Sequence, residues 1–181
     1  MSAVDLILLG LVYEQPLSAY DMQKQVEYRN LSKWVKISSP SIYKNVLRLE
    51  EKGCLTSQAM REGKMPEKVV YSITSAGREL FLKLMREKAS TAISVLFDFN
   101  AVIANLNKLP KDQAIELTHT IRANMETGRA YIAGMQPQRQ HVPFVGRAIM
   151  EQQIQVYAAL LCWMDSFLKE LEPYGPGGES K

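Results

Sequence analysis

The chain is poor in the residues that build metal sites and disulfides. Its 181 residues include two cysteines and two histidines. Cys54 and Cys162 lie far apart without C-x-x-C spacing, and His119 and His141 are isolated. We therefore expect both thiols to be inert members of the core in a reducing cytoplasm, and we expect no metal site and no cofactor.

The apolar segments are too short for a membrane span, which needs roughly 20 residues. The densest N-terminal run, from Val4 to Val12, contains Asp5 and has no basic leader, so it predicts a buried helix and not a signal peptide. The chain also has no G-x-S-x-G, no glycine loop for phosphate and no H-E-x-x-H. With 46% hydrophobic residues, it is expected to form a real core and not to be an enzyme.

The positive charge is small in total but unevenly distributed. The net charge is +3, yet residues 1–88 hold 14 basic and 10 acidic residues, whereas residues 89–181 hold 8 and 9. Within residues 33–68 the numbers are 8 and 4. A local basic patch on a nearly neutral protein indicates a polyanionic partner, for which double-stranded DNA is the leading candidate.

This basic segment contains one well-marked helix. Ser39 is a suitable N-cap, Pro40 fits the first helical position, and Gly53 can form a left-handed C-terminal cap. Between these caps, a narrow apolar stripe at helical spacing lies opposite a polar and partly basic face. The stripe comprises Ile42, Val46 and Leu49, and the opposite face comprises Ser41, Lys44, Leu47, Arg48 and Glu51, with Tyr43 at its edge.

Two helices are predicted before this segment. Residues 3–13 are apolar nearly all round and predict a central first helix. Ser18 and Asp21 have the S-x-x-D spacing of a capping box and predict the start of the second helix. The inward contacts expected from the second helix are Tyr20, Met22 and Val26.

A β-hairpin and another helix are predicted after the basic segment. Cys54 begins an extended stretch, residues 61–66 have turn composition, and residues 68–73 are β-branched and aromatic. Thr74 then caps a helix. Three helices, a hairpin with a basic tip and a linking helix are the order of a winged helix-turn-helix domain, whose third helix enters the DNA major groove.

Four segments follow one another in the first half: L-I-L-L-G-L-V, P-L-S-A-Y-D-M, S-I-Y-K-N-V-L-R-L-E-E-K-G-C-L, and a Pro-x-Lys wing ending in V-Y-S-I-T-S-A-G-R-E. In this order they resemble the PadR family of bacterial transcriptional regulators. The resemblance implies a cytoplasmic, dimeric winged-helix protein that binds DNA, more often as a repressor than as an activator. Leu47 departs from the family pattern, because that position is usually basic or polar; it could instead contact a thymine methyl group.

DNA contacts are expected from the third helix and from the wing. The N-terminal turns of the helix suit contacts to bases or phosphates, and the wing cations suit contacts to phosphates. Ser39 could equally be only a cap, and Tyr43 could be partly core. The predicted DNA-binding residues are Ser38, Ser39, Ser41, Tyr43, Lys44, Arg48, Arg61, Lys64 and Lys68.

The second half carries no strand signal, so the fold class is expected to be mainly α. Helices are predicted over residues 92–106, 111–135 and 144–171, and the apolar spacing of the middle one resembles a coiled-coil seam. The last helix has two apolar stripes, of which one can pack on its own chain and the other on a second copy. The alternative is a monomeric bundle. The residues predicted to form the homodimer are Val156, Leu160, Trp163 and Phe167.

The predicted domains are a winged helix-turn-helix domain over residues 1–88, a helical dimerisation domain over 89–172 and a disordered tail over 173–181, with length and helix order resembling the virulence-activator branch of the family. Trp34 and Trp163 are expected to be core aromatics. The alternative is that they line a pocket for a small flat aromatic effector. A second alternative function, a winged-helix module that binds only protein, is disfavoured by the basic face.

Overall fold

The structure is a computed structural model, and it describes residues 2–61, 68–135 and 142–173. The chain divides into two compact units, Met1–Ser94 and Val95–Lys181. The described residues are mainly α-helical with one three-stranded antiparallel sheet, which confirms the predicted fold class. The finer domain boundaries that were predicted remain predictions.

The first unit has the element order of a winged helix-turn-helix domain. Its sheet has the strand order β1-β3-β2, and both strand pairs are antiparallel. The two-residue strand β1 was not predicted, because two residues carry no periodicity that a sequence pattern could reveal. The elements are α1 (Ala3–Glu14), β1 (Leu17–Ser18), α2 (Ala19–Tyr28), α3 (Ser39–Glu51), β2 (Leu55–Met60), β3 (Lys68–Ile73) and α4 (Ser75–Ala89).

Helix α1 is the centre of this unit, as its apolar sequence predicts. Leu8 and Leu9 are fully buried in one hydrophobic core with residues from the other helices and the sheet. Helix α2 begins at the predicted capping box, in which the Ser18 hydroxyl accepts the Asp21 N–H at 3.1 Å. Met22 and Val26 are buried as expected, so the helix packs on α1 and α3 through one face.

The prediction that Tyr20 faces inward is wrong, because its side chain is exposed. Tyr20 lies in the first turn of α2, and its ring lies 5.4 Å from the Lys24 ammonium group. A large aromatic side chain in an amphipathic helix is often core, but here the smaller apolar residues of α2 fill the available volume.

Helix α3 is held by the predicted stripe, since Ile42, Val46 and Leu49 are all buried. Its N-cap is Ser38 and not Ser39, so the helix starts one residue earlier than predicted. At the other end Gly53 has a φ of +68°, the left-handed conformation that was expected there. The orientation of α3 is therefore fixed by apolar packing along its length and by caps at both ends.

The wing and α4 follow the prediction closely. Strands β2 and β3 pair from Leu55 opposite Ile73 to Met60 opposite Lys68. The Thr74 hydroxyl caps α4 by accepting the Gly77 N–H at 3.1 Å. Residues 62–67, which include all of the predicted turn except Arg61, lie outside the described residues.

The predicted helix over residues 92–106 is wrong. Residues 92–97 have no regular structure, and only α5 (Asn100–Ile103) and a 3-10 turn (Leu106–Lys108) follow. The start of this stretch contains Ile93, Ser94 and Val95 in succession, and β-branched residues and serine have low helix propensity. The apolar spacing was misleading because several of its members are exposed, such as Val95 at 66% and Leu96 at 85%.

The two long helices of the second unit, α6 (Lys111–Met135) and α7 (Phe144–Leu171), have the predicted bounds. They are antiparallel: Arg122 of α6 donates to Asp165 of α7 at 2.6 Å, whereas Gly128, farther along α6, faces Tyr157, earlier on α7. Thr118 is buried in α6 where Leu117 was expected, and Leu117 is exposed. The tail from residue 174 lies outside the described residues.

The two cysteines differ in their surroundings. Both are free thiols, but only Cys54 is buried. The prediction that Cys162 belongs to the core is wrong, because it lies on a face of α7 away from both apolar stripes. None of the described helices is long and apolar enough to cross a membrane.

Candidate nucleic-acid interface

The candidate interface is the outward face of α3. The first turn starts at Ser38, where the Ser41 hydroxyl accepts the Ser38 N–H at 3.0 Å and donates to the Ser38 carbonyl at 2.6 Å. These bonds occupy the Ser41 side chain within the turn. Ser38 and Ser39 are exposed, so they remain predicted phosphate contacts, whereas Ser41 has a clear structural role.

Three large side chains project from the middle of α3 into solvent. Tyr43, Lys44 and Leu47 are all exposed, and Leu47 is 53% exposed although it is apolar. Together they offer a hydroxyl, a cation and a branched apolar group on one side of a rigid helix. This combination can contact phosphate oxygens, base edges and thymine methyl groups.

Arg48 is also on α3 but points towards α1. Its Nη2 donates to the Asp5 carboxylate and, at 2.6 Å, to the Asn45 side-chain oxygen. Asn45 in turn donates to the Ser41 carbonyl at 2.6 Å. Arg48 would therefore have to contact a DNA phosphate, as predicted, while it keeps its ion pair with Asp5.

Asp5 is the residue at this site that sequence reasoning missed. Its carboxylate is fully buried and also accepts the Ser2 N–H at 2.8 Å, which forms a capping box at the start of α1. The available signal was a single acidic residue inside an otherwise apolar helix. A buried carboxylate needs a cationic or hydrogen-bonding partner, but the sequence could not identify Arg48 as that partner.

The wing, which follows α3 in the sequence, carries further cations. Arg61 and Lys68 are exposed at the outer end of the hairpin, where β2 ends and β3 begins. Lys64 lies outside the described residues. The two described cations are on a different element from Lys44, so the predicted DNA-binding residues come from α3 and from the hairpin.

A second ion pair joins the helices around α3. The Arg29 guanidinium binds Glu14 through Nη1 at 3.1 Å and Nη2 at 2.6 Å, which connects the end of α1 to the end of α2. The hydrogen bond from Arg29 lowers the pKa of the Glu14 carboxyl. This pair supports the helical scaffold and does not involve α3.

In the second unit, the two stripes of α7 have different surroundings. Met150, Leu161, Met164 and Leu168 are buried within the unit. The other stripe contains the residues predicted to form the dimer; Val156 and Trp163 are exposed, and Leu160 and Phe167 are partly buried.

Aromatic rings cluster beside this stripe. The Trp163 ring stacks on Phe167 with centroids 5.5 Å apart and lies 6.1 Å from Phe99, which stacks on Phe97. Trp34 is in the first unit, where it packs partly buried against the core. The expectation of a core aromatic thus fits Trp34, while the Trp163 ring is 41% exposed.

No group of three or more metal-ligating side chains occurs among residues 2–61, 68–135 and 142–173. The exposed side chains of α3 and the wing are those of a binding surface: cations, a phenol and an aliphatic group.

Comparisons with known proteins agree with this geometry. Residues 8–83 match the model of the transcriptional regulator PadR-like family. A search of curated proteins finds no match.

Solved structures resemble nearly the whole chain. Bacillus subtilis PadR in complex with operator DNA has a TM-score of 0.81 and 17% identity, covering 94% of this chain and 98% of that one. The same protein in complex with p-coumaric acid has a TM-score of 0.81 and 15% identity, with coverage of 93% and 98%. The Vibrio cholerae virulence activator AphA has a TM-score of 0.72 and 17% identity, with coverage of 94% and 99%.

Proposed function

We propose that this chain, whose residues 8–83 match the model of the PadR-like family of transcriptional regulators, is a homodimer that binds a pseudo-palindromic DNA operator and represses transcription. Members of this family are regulators of transcription and not enzymes. The alternative, a winged-helix module that binds only protein, is one outcome of the test below.

The observation that carries the proposal is the two-sided character of α3. One side is buried through Ile42, Val46 and Leu49, while the other presents Tyr43 and Lys44 to solvent. A rigid helix with an anchored inner side and an exposed cation matches the width and the charge of the major groove. We infer that Tyr43 and Lys44 contact bases or phosphates and that Leu47 contacts a thymine methyl group.

The wing supplies contacts that position the protein without reading sequence. Arg61, Lys68 and, beyond the described residues, Lys64 are assigned to phosphates on either side of the groove that α3 enters. Such contacts raise the affinity for every duplex and make binding sensitive to salt.

Dimer formation is supported by the exposed stripe of α7. Apolar residues exposed in a row along a long helix are costly in water and mark a protein interface. A second copy is the simplest partner because a two-fold axis uses the same stripe twice. The dimer would then place two α3 helices about 34–36 Å apart, one helical turn of DNA.

Repression is the simpler outcome of this arrangement. A dimer that occupies about one to two helical turns of DNA excludes other proteins from the same segment. When that segment overlaps a promoter, occupancy alone prevents transcription. Activation would require an additional contact to the transcription machinery.

We assign a small aromatic effector to the Phe97–Phe99 side of the ring cluster of the second unit, because Trp163 and Phe167 are assigned to the dimer interface. Stacked rings with one partly exposed face suit a flat aromatic ligand. Bacillus subtilis PadR, a structural neighbour, is known in complex with p-coumaric acid. The ligand regulates binding only if it favours one spacing of the two α3 helices over another.

The test compares two lysine variants in binding to a random library of DNA duplexes. Lys44→Ala removes an exposed cation of α3, and Lys83→Ala removes an exposed cation of α4 that pairs with Glu87. We expect the wild type and Lys83→Ala to select the same site, and Lys44→Ala to lose affinity for it by about 1–3 kcal/mol. Equal binding by all three proteins, or no selected site, would favour the protein-binding module.

A further inference from the structure

Asp5 is a charged residue in an unusual position, and it is not among the residues assigned to DNA contacts. It is fully buried in α1, the central helix of the first unit, among apolar side chains. An isolated carboxylate in such a place is unfavourable by several kcal/mol unless it is paired. Its charged partner is Arg48, which lies on α3.

The geometry of Arg48 leaves part of its guanidinium group available. The bonds to Asp5 and Asn45 both use Nη2, so they do not engage Nε or Nη1, which carry the other N–H donors of an arginine. The Arg48 side chain is 33% exposed. One edge of the planar group is thus bound to a buried carboxylate, and the group also reaches solvent.

Asn45 extends this connection towards the N-terminal turn of α3. Its side-chain oxygen accepts from Arg48, and its side-chain nitrogen donates to the Ser41 carbonyl. A continuous set of hydrogen bonds therefore runs from Asp5 of α1 to the turn that precedes Tyr43 and Lys44.

We propose that Asp5 is a positioning residue for DNA recognition: it holds the Arg48 guanidinium in one orientation, from which Arg48 binds a DNA phosphate. This inference rests on the proposed DNA-binding function and adds a residue that itself touches no DNA. When the carboxylate holds the guanidinium in place, the Arg48 side chain is already ordered in the free protein. It therefore loses less rotamer entropy when DNA binds. By holding Arg48 in one orientation, Asp5 also fixes the register of α3 on the duplex.

The carboxylate also reduces non-specific binding. It neutralises part of the charge of Arg48. Arg48 therefore attracts a phosphate less strongly when that phosphate is held by charge alone and not by correctly directed hydrogen bonds. A phosphate in the correct position still receives directional, charge-assisted hydrogen bonds. The predicted consequence of Asp5 is a larger ratio between operator affinity and non-specific affinity.

The experiment measures this ratio for the full-length protein. The wild type first selects its preferred duplex from a random library, and the dissociation constants for that duplex and for a scrambled duplex are then measured at two salt concentrations. For Asp5→Asn we expect the ratio of the two constants to fall about tenfold, the size of one lost charge-assisted hydrogen bond. Affinity for the scrambled duplex should not fall, because the variant gains positive charge.

The matched control is Glu14→Gln. Glu14 is on the same helix and pairs with an arginine through two bonds, but its partner Arg29 is on α2 and not on α3. The control removes the same charge and breaks an arginine–carboxylate ion pair, although the Glu14 side chain is 56% exposed whereas that of Asp5 is fully buried. Its ratio of specific to non-specific binding should equal that of the wild type.

Arg48→Lys provides a second test if Asp5→Asn does not fold, which circular dichroism and thermal unfolding would reveal. Lysine keeps the charge but cannot bridge Asp5, Asn45 and a phosphate at once. We expect the same loss of discrimination. Where Asp5→Asn does fold, the double variant should lose no more than either single variant, because the two residues act through one contact.

Two results would overturn the proposal. If Asp5→Asn and Arg48→Lys both keep the wild-type affinity for each duplex, and therefore the wild-type ratio, Asp5 serves stability alone. If binding to both duplexes weakens equally, the effect is general loss of the fold. A wild-type protein that selects no site at all would instead refute the proposed function itself, and with it this inference.

Discussion

Gly77, in the first turn of α4, has no room for a side chain. A Cβ atom there would lie 2.1 Å from the Cys54 carbonyl oxygen and 2.8 Å from Cγ1 of Ile73. The carbonyl oxygen belongs to the backbone and also accepts hydrogen bonds from Thr74, so it cannot move freely. This close contact fixes the position at which strand β3 of the wing leads into α4.

We therefore predict that Gly77→Ala lowers the free energy of unfolding by about 2 kcal/mol, as expected for overpacking in a tight site. Gly134→Ala is the control, because no atom lies within 4 Å of a Cβ at that position in α6. There the substitution should be neutral or slightly stabilising, since alanine favours helix. Denaturant unfolding measures both, and equal midpoints for the two variants would contradict the prediction.

Residue roles were predictable where they depend on local spacing. The buried stripe of α3 and the left-handed Gly53 follow from periodicity and from the conformational freedom of glycine. The Asp5–Arg48 pair was not predictable, because it joins residues 43 positions apart. Sequence patterns report which face of one helix is apolar, and they do not report which residue of another helix lies opposite.

At the scale of elements, the wing is the part whose contribution to binding is most easily separated. Arg61 is exposed at the end of β2, and we predict that it contacts phosphate only. Arg61→Ala should weaken binding to all duplexes alike and reduce the slope of log affinity against log salt by about one phosphate. Titrations at several salt concentrations would show this, and a changed sequence preference would place the wing against base edges instead.

The contact between α6 and α7 has a predicted pH dependence. The hydrogen bond from Arg122 lowers the pKa of the Asp165 carboxyl below its ordinary value of 3.8. Because the folded-state pKa is lower than the unfolded one, the stabilisation is complete above 3.8 and is lost as pH falls through the folded-state value. The Asp165→Asn variant lacks this contribution.

We predict that wild type and Asp165→Asn differ in stability at about pH 6 and that the difference shrinks towards about pH 3. Denaturant unfolding across this range measures it. The size should be small because the pair is exposed to solvent. A difference that stays constant with pH would show that Asp165 contributes through packing and not through its charge.

The elements themselves were largely predictable, with one instructive failure. The bounds of α6, α7 and β3 agree with the sequence patterns, since each is a long or strongly biased segment. Residues 92–106 were expected to be one helix and are mostly not. Their apolar spacing fits a helix, but among the described residues nothing covers exposed members of that spacing such as Val95 and Leu96.

At the scale of the whole molecule, the exposed apolar residues of the second unit are the main argument for a dimer. Val145 is 68% exposed on α7, and Val156 and Trp163 follow on the same stripe. The sequence predicted two stripes but could not decide which one packs within the chain. Met164, Leu161 and Leu168 of one stripe are buried, whereas Val156 and Trp163 of the other stripe are exposed.

Val156→Glu should therefore dissociate the dimer, because it places a charge in the centre of the proposed interface. Ala158→Glu is the matched control: it adds the same charge two residues away, which is about 200° around the helix, at another exposed position. Sedimentation equilibrium measures the mass. A monomer for Val156→Glu with a dimer for Ala158→Glu is expected, and two dimers would move the interface elsewhere.

The most direct test of the central claim is a pull-down of genomic DNA fragments with the purified protein at two salt concentrations. We predict one enriched inverted repeat, with half-sites about one helical turn apart, and an affinity that falls steeply as salt rises. Weak and uniform recovery of all fragments would contradict sequence-specific recognition by α3. In that case the exposed face of α3 would be only a basic surface.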